Sequence, residues 1–173
     1  MASGLSERVL EKLENKIELE RVRLKIGVDS MPANPWEFDV DLGGDSVNAM
    51  ERLLSIVRAI AESSVGSWPS DDEWKAMLPD WLKHEVPELS KEQTDKLLSV
   101  TSPQDWGSLP WEFFSWLDAI RDRGWRWWGY QQKGATATIV LHIAMFPERI
   151  DAFRELLRAV GMHITDERYT ALA

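Results

Sequence analysis

The stretch GWRWWGYQQKG, residues 124–134, places three tryptophans and one tyrosine within six consecutive positions. Aromatic and β-branched side chains favour strands, and a second run of this kind, Thr136–Met145, follows directly. We therefore predict a β-hairpin of Trp125–Gln132 and Thr136–Met145 with a turn at Lys133-Gly134, where glycine supplies the positive φ that such turns need. A chain with this hairpin has to bury at least one aromatic sheet face.

The register of the hairpin decides where its aromatic side chains point. With a two-residue turn at Lys133-Gly134, Trp125 and Trp127 share a mixed face with His142, as an open or ligand-facing surface would. With a three-residue turn, the two tryptophans join the apolar residues of the second strand instead. We favour the two-residue turn, so the possible ligand-facing residues that we predict are Trp125, Trp127 and His142.

Patterns elsewhere in the chain indicate an α+β fold. Residues 36–42, WEFDVDL, alternate between apolar and acidic side chains as a half-buried strand does, and Val47–Glu62 carries an apolar stripe of helical period. A helix over Pro147–Gly161 and a possible last strand, Met162–Arg168, complete a β-α-β-β-α-β order. We predict an antiparallel sheet, and this element order fits a ferredoxin-like topology.

Two further parts flank or interrupt this core within a single domain of residues 1–173. An N-terminal helix is predicted within residues 1–28. A helical insertion is predicted over residues 66–123, where capping boxes begin helices after Ser70 and Ser90. The insertion contains six of the ten tryptophans, and the simplest interpretation is that it covers the mixed face of the hairpin.

Composition narrows the class of function. The chain has no cysteine, which excludes disulfides and a thiol nucleophile and favours a cytoplasmic location. The three histidines share no metal-ligand spacing, and no common catalytic or nucleotide-binding motif is present. We therefore expect no metal and no cofactor. The longest apolar run is too short to span a bilayer, so we expect no membrane partner.

The formal net charge of −9 at pH 7 disfavours nucleic acid and favours a basic protein partner. One acidic cluster lies on the first strand. A second begins the helix after Ser70, where acids also suit the helix dipole, and two tryptophans beside it can serve as anchors. The partner-binding residues that we predict are Glu37, Asp39, Asp41, Trp68, Asp71, Asp72, Glu73 and Trp74.

These features favour a non-catalytic protein-binding module, and within that class an inhibitor or immunity-type protein that neutralises a basic effector or toxin. The alternative is a small ligand-binding domain or enzyme with a pocket between the sheet and the helical insertion. A third hypothesis is a structural subunit that oligomerises through the N-terminal helix or an aromatic sheet face. We accordingly expect a monomer or a homodimer.

Overall fold

The computed structural model describes residues 16–144 and 146–170. The chain divides into two compact units, unit 1 from Met1–Trp68 and Arg123–Ala173 and unit 2 from Pro69–Asp122. The part of the predicted N-terminal helix before residue 16 lies outside the described residues. In chain order the elements are α1 (16–23), β1 (Pro35–Asp41), α2 (Ser46–Ser63), α3 (Asp71–Met77), α4 (Asp80–Glu85), α5 (Lys91–Val100), a 3₁₀ helix (Pro103–Ser108), α6 (Phe113–Arg121), β2 (Trp125–Lys133), β3 (Thr136–Ile143), α7 (Asp151–Ala159) and β4 (His163–Tyr169).

Unit 1 contains a four-stranded sheet in the order β2-β3-β1-β4, and every pair of neighbours is antiparallel. After α1, the elements of this unit follow one another as β-α-β-β-α-β, and unit 2 lies in the chain between α2 and β2. The α+β class with an antiparallel sheet is confirmed. The ferredoxin-like comparison stays an interpretation of this element order.

One face of the sheet is the core face of unit 1. Along β1, Trp36, Phe38 and Val40 are buried on this face, while Glu37 and Asp39 between them are only half-buried. The alternation predicted for this strand is therefore present. The helix α7 packs on the same face, since the ring centroids of Phe38 and Phe153 lie 5.3 Å apart.

The turn of the β2–β3 hairpin lies one residue later than predicted. Lys133 pairs with Thr136, so the two-residue turn is Gly134-Ala135 and the prediction of Lys133-Gly134 is wrong. Gly134 has a φ of 60°, as the first turn residue of a type II′ hairpin does. Glycine therefore begins the turn, where a positive φ is needed, and does not end it.

A β-bulge sets the direction of the hairpin tryptophans. The ladder shifts between Trp127 and Gly129, so two residues of β2 there oppose one residue of β3. Beyond the bulge, Trp125 pairs with Ile143 and Trp127 pairs with Leu141. Both tryptophans therefore lie on the core face, which corrects the prediction of a mixed face shared with His142.

Buried polar contacts attach α1 to the edge strand β2. The carboxylate of Glu20 accepts a hydrogen bond from the backbone N–H of Trp127 at 2.8 Å and pairs with Arg123 at 2.9 Å. Burial lowers the pKa of Arg123 to about 10, against the attraction of Glu20. Arg23 also donates from Nε to the carbonyl oxygen of Trp128 at 2.8 Å. These contacts occupy a sheet edge that would otherwise be open to pairing with another chain.

Unit 2 is helical, and both predicted capping boxes are present in it. The hydroxyl of Ser70 accepts from the backbone N–H of Glu73 at 3.3 Å, and Ser90 does the same for Gln93 at 3.1 Å. Its fully buried aromatic residues are Trp74, Phe113 and Trp116. None of the helices in the described part of the chain has both the length and the apolar content to cross a bilayer.

Candidate functional site

The residues predicted to face a ligand do not come together. Trp125 and Trp127 are 0% and 1% exposed, and the Trp125 ring packs edge-on against Phe153 at 4.9 Å. His142 pairs with Arg126 on the opposite face of the sheet and is half-buried there. The bulge in β2 causes this separation, and so Trp125 and Trp127 belong to the core and line no ligand site.

His142 lies beside the ring of Trp128 and in the electric field of two cations, Lys16 and Arg126. Its ring centroid lies 6.1 Å from that of Trp128. Burial lowers the pKa of His142, and the positive charges of Lys16 and Arg126 lower it further. Among the described residues, no group of three or more His, Asp or Glu side chains is placed to hold a metal ion.

Two of the three acidic residues predicted on β1, Glu37 and Asp39, form ion pairs within the fold. Arg168 of β4 donates to Glu37 Oε1 at 3.0 Å and to Asp39 Oδ2 at 2.6 Å, and the hydroxyl of Thr138 donates to Asp39 Oδ1 at 2.6 Å. The hydrogen bond from Arg168 lowers the pKa of Asp39, and the two carboxylates raise that of Arg168. Asp41 is exposed and accepts the backbone N–H of Gly43. Arg168 also pairs with Asp166 at 3.3 Å, so it offsets only one of several negative charges. Glu37 and Asp39 are nevertheless held in hydrogen bonds within the fold, which leaves their carboxylates less available to a partner.

The acids predicted on α3 are exposed. Asp71, Asp72 and Glu73 form the first turn of this helix, where the helix dipole favours negative charge. Glu73 is engaged in the capping box, because it accepts the backbone N–H of Ser70 at 2.7 Å, and this bond lowers its pKa. Asp71 and Asp72 keep their carboxylates at the surface. These two are the predicted acidic residues best placed to meet a partner.

The two tryptophans predicted as anchors beside these acids differ in exposure and in the unit to which they belong. Trp74 is 0% exposed and belongs to the interior of unit 2. Trp68 is half-buried and belongs to unit 1. A buried indole cannot enter a partner's pocket, so Trp74 is a structural residue. Trp74 lies on the buried side of α3, and the three acids before it lie on the exposed side, so their proximity in sequence does not place them on one surface.

The negative charge of the chain is concentrated in unit 2. Residues 69–122 contain 12 Asp and Glu against 5 Lys and Arg, a net charge of −7, which leaves −2 for the rest of the sequence out of the total of −9. Four of the five cations of unit 2 already form ion pairs inside the unit, at Lys75, Lys83, Lys91 and Arg121. The excess of carboxylates is thus a property of the unit's surface.

Sequence reasoning missed the residues that bring these acids together. Arg121 at the end of α6 pairs with Asp118 and Asp122, each at 3.2 Å. The hydrogen bond that Arg121 donates to Asp122 is the largest cause of the raised pKa of Arg121, and the negative charges of Asp122, Asp118 and Asp71 raise it further. We call Asp71, Asp72, Asp118 and Asp122 the acidic patch. Asp71 and Asp72 belong to α3, Asp118 belongs to α6, and Asp122 is the C-cap residue of α6. Only the acid-rich run at α3 was visible as a pattern.

A second missed feature is the lack of burial in α5 and the 3₁₀ helix, residues 91–108, which we call the outer segment. The structure describes all of these residues, and none of them is buried. Val100 is 74% exposed and Trp106 is 47% exposed. The available signal was the weak apolar content of α5, where Leu97, Leu98 and Val100 are clustered at the end.

Comparison with known proteins adds no relative. No protein-family model matches the sequence, and neither a curated protein nor a solved structure of significant similarity was found. The physical properties of the two units, the acidic patch and the outer segment are therefore the basis for any functional conclusion.

Proposed function

We propose that the chain is a non-catalytic protein-binding module, of the inhibitor or immunity type, that neutralises a basic effector or toxin by direct contact with unit 2. The observation that carries this proposal is the acidic patch, where Asp118 and Asp122 pair with one cation, Arg121, and the negative charge of Asp71 acts on the same cation. Asp72 follows Asp71 in the exposed first turn of α3, so the four carboxylates of the patch outnumber its one guanidinium. We further propose a cytoplasmic location, since a chain without cysteine needs no oxidising compartment.

The electrostatics suit association better than catalysis. Exposed charges are screened by water and salt, so a single surface pair contributes little affinity. A field of one sign nevertheless steers an oppositely charged protein and raises its association rate. The unit charge of −7 on residues 69–122 provides such a field. An inhibitor that has to intercept a toxin benefits from this kind of rapid association.

The alternative of a ligand pocket lined by Trp125, Trp127 and His142 has no support in the geometry, because the tryptophans are buried and His142 lies on the other sheet face. No second function is proposed.

The test is to purify the tagged protein from its native host at low salt and to identify what co-purifies by mass spectrometry. We expect one basic protein, near one-to-one, that is released by added salt. The double variant Asp71→Asn with Asp72→Asn should recover much less of it, and it leaves the capping Glu73 in place. A matched variant, Glu51→Gln with Glu62→Gln, removes the same charge from exposed positions of α2 and should recover the wild-type amount. Equal loss in both variants would contradict the patch, and no basic partner at all would contradict the function.

A further inference from the structure

The outer segment holds an exposed tryptophan in a fixed position. The indole N–H of Trp106 donates to the carbonyl oxygen of Thr101 at 3.1 Å. The carbonyl oxygen of Trp106 in turn accepts the N–H of Leu109 at 3.2 Å. The hydrogen bond to Thr101, the C-cap residue of α5, therefore orients the ring before any ligand arrives, although 47% of the residue is exposed. A side chain held in this way loses little conformational entropy when it enters an interface.

The backbone around this ring is also stabilised locally. The hydroxyl of Ser102 donates to Asp105 Oδ2 at 2.7 Å, and that of Ser108 donates to the carbonyl oxygen of Asp105 at 2.7 Å. The capping box at Ser90 begins the preceding helix α5. No residue of the outer segment is fully buried, so these local bonds contribute substantially to its conformation.

We infer that Trp106 is an aromatic anchor for an arginine or lysine side chain of the basic partner, an inference that rests on the proposed function. The face of an indole carries negative electrostatic potential and attracts guanidinium and ammonium groups. The carboxylate of Asp105 adjoins it in sequence, and the unit that contains both has a net charge of −7. Charge complementarity therefore selects a cationic side chain over an acidic or a purely apolar one.

The outer segment also supplies the apolar contact that the acidic patch lacks. Interfaces combine an apolar centre with a polar rim, and tryptophan is among the residues that contribute most to binding when it is covered. Val100, at 74% exposure, offers further apolar area at the end of α5. The patch then accounts for attraction at a distance and the outer segment for contact at close range, both within unit 2.

The experiment measures binding of a nona-arginine peptide to the full chain at low salt by calorimetry. Trp106→Ala should weaken binding by about two- to fivefold, the range expected for a cation on an exposed ring. Met77→Ala is the matched control, since Met77 has nearly the same exposure, 46% against 47%, and lies in the same unit. Neither change alters the net charge. Trp106→Phe keeps a ring and should retain most of the affinity. Far-UV circular dichroism establishes that each variant is folded.

The possible outcomes separate the two proposals. In one outcome, Trp106→Ala binds like the wild type while Asp71→Asn with Asp72→Asn binds more weakly. That result would overturn the anchor and leave the basic-partner proposal standing. Equal losses in Trp106→Ala and Met77→Ala would also overturn the anchor. Equal losses in Trp106→Ala and Trp106→Phe would assign the effect to the hydrogen bond with Thr101 and would reject the role of the ring. Absence of any binding by the wild-type chain would count against both proposals.

Discussion

The carboxylate of Asp39 lies between two donors, Arg168 Nη1 and the hydroxyl of Thr138, each at 2.6 Å. The hydrogen bond from Arg168 is the largest cause of the lowered pKa of Asp39, and that from Thr138 is the second. Asp71, in contrast, stays at the surface in the first turn of its helix. Whether an acid of this chain is available to a partner thus depends on where the fold places its arginines.

The pairing of Asp39 makes a prediction about acid stability. Because its pKa is lowered below the ordinary value of 3.8, its contribution to stability is present above that value and is lost as the pH falls through the lower, folded-state pKa. Asp39→Asn should reduce the free energy of unfolding by about 1 kcal/mol at neutral pH, as is usual for a partly exposed ion pair. The difference from the wild type should shrink as the pH falls below 3.8.

Urea unfolding over a series of pH values checks this prediction. Glu51→Gln, at an exposed position in the middle of α2, is the control and should leave the curve of stability against pH essentially unchanged. A difference between Asp39→Asn and the wild type that stays constant down to strongly acidic pH would contradict the ion-pair explanation. It would instead assign the loss to the neutral hydrogen bond with Thr138, which the asparagine can keep only in part.

At the scale of elements, the hairpin depends on one glycine. Gly134 begins the turn with a φ of 60°, and no other group lies within 4 Å of the position a Cβ would take. Gly134→Ala therefore creates no clash, and its cost is the backbone strain of a left-handed residue, about 1–2 kcal/mol. Thermal or urea unfolding measures this loss. Gly44→Ala is the control, since it has similar open space but no positive φ, and its effect should be clearly smaller.

The elements differ in how far the sequence predicted them. The strand at 36–42 and the two capping boxes rest on interactions between residues two to four positions apart, and the structure has all three. The register of the hairpin could not be predicted in this way, because a bulge inserts one residue into β2 and nothing in the sequence pattern marks it. The bulge reverses the expected environment of Trp125 and Trp127, and with it the candidate ligand site.

Contacts between distant elements were beyond the reach of sequence patterns for the same reason. Arg168 lies 131 residues from Glu37, and Arg123 lies 103 residues from Glu20. The pairing of the antiparallel strands β1 and β4 brings Glu37 and Arg168 together. The packing of α1 on the edge of β2 brings Glu20 and Arg123 together. Acidic runs can be read from the sequence, but the cations that neutralise them can be assigned only when the sheet order is known.

For the whole molecule, the relevant property is the uneven division of charge, −7 on unit 2 and −2 on the remaining sequence. Such a field acts over roughly the Debye length, which falls from about 30 Å at 0.01 M salt to about 8 Å at 0.15 M. We therefore predict that the association rate of the basic partner, or of nona-arginine in its place, falls by about tenfold or more over this range. The dissociation rate should change much less, because it depends mainly on contacts at short range.

Stopped-flow fluorescence at several salt concentrations measures both rates. Asp71→Asn with Asp72→Asn should lower the association rate and flatten its dependence on salt, since it removes two of the seven net charges of the unit. Trp106→Ala should act in the opposite way and raise the dissociation rate with little change in association, because a neutral side chain contributes only after contact. An association rate that does not respond to salt would refute steering by unit 2, and loss of affinity through association alone in Trp106→Ala would refute its separate role in contact.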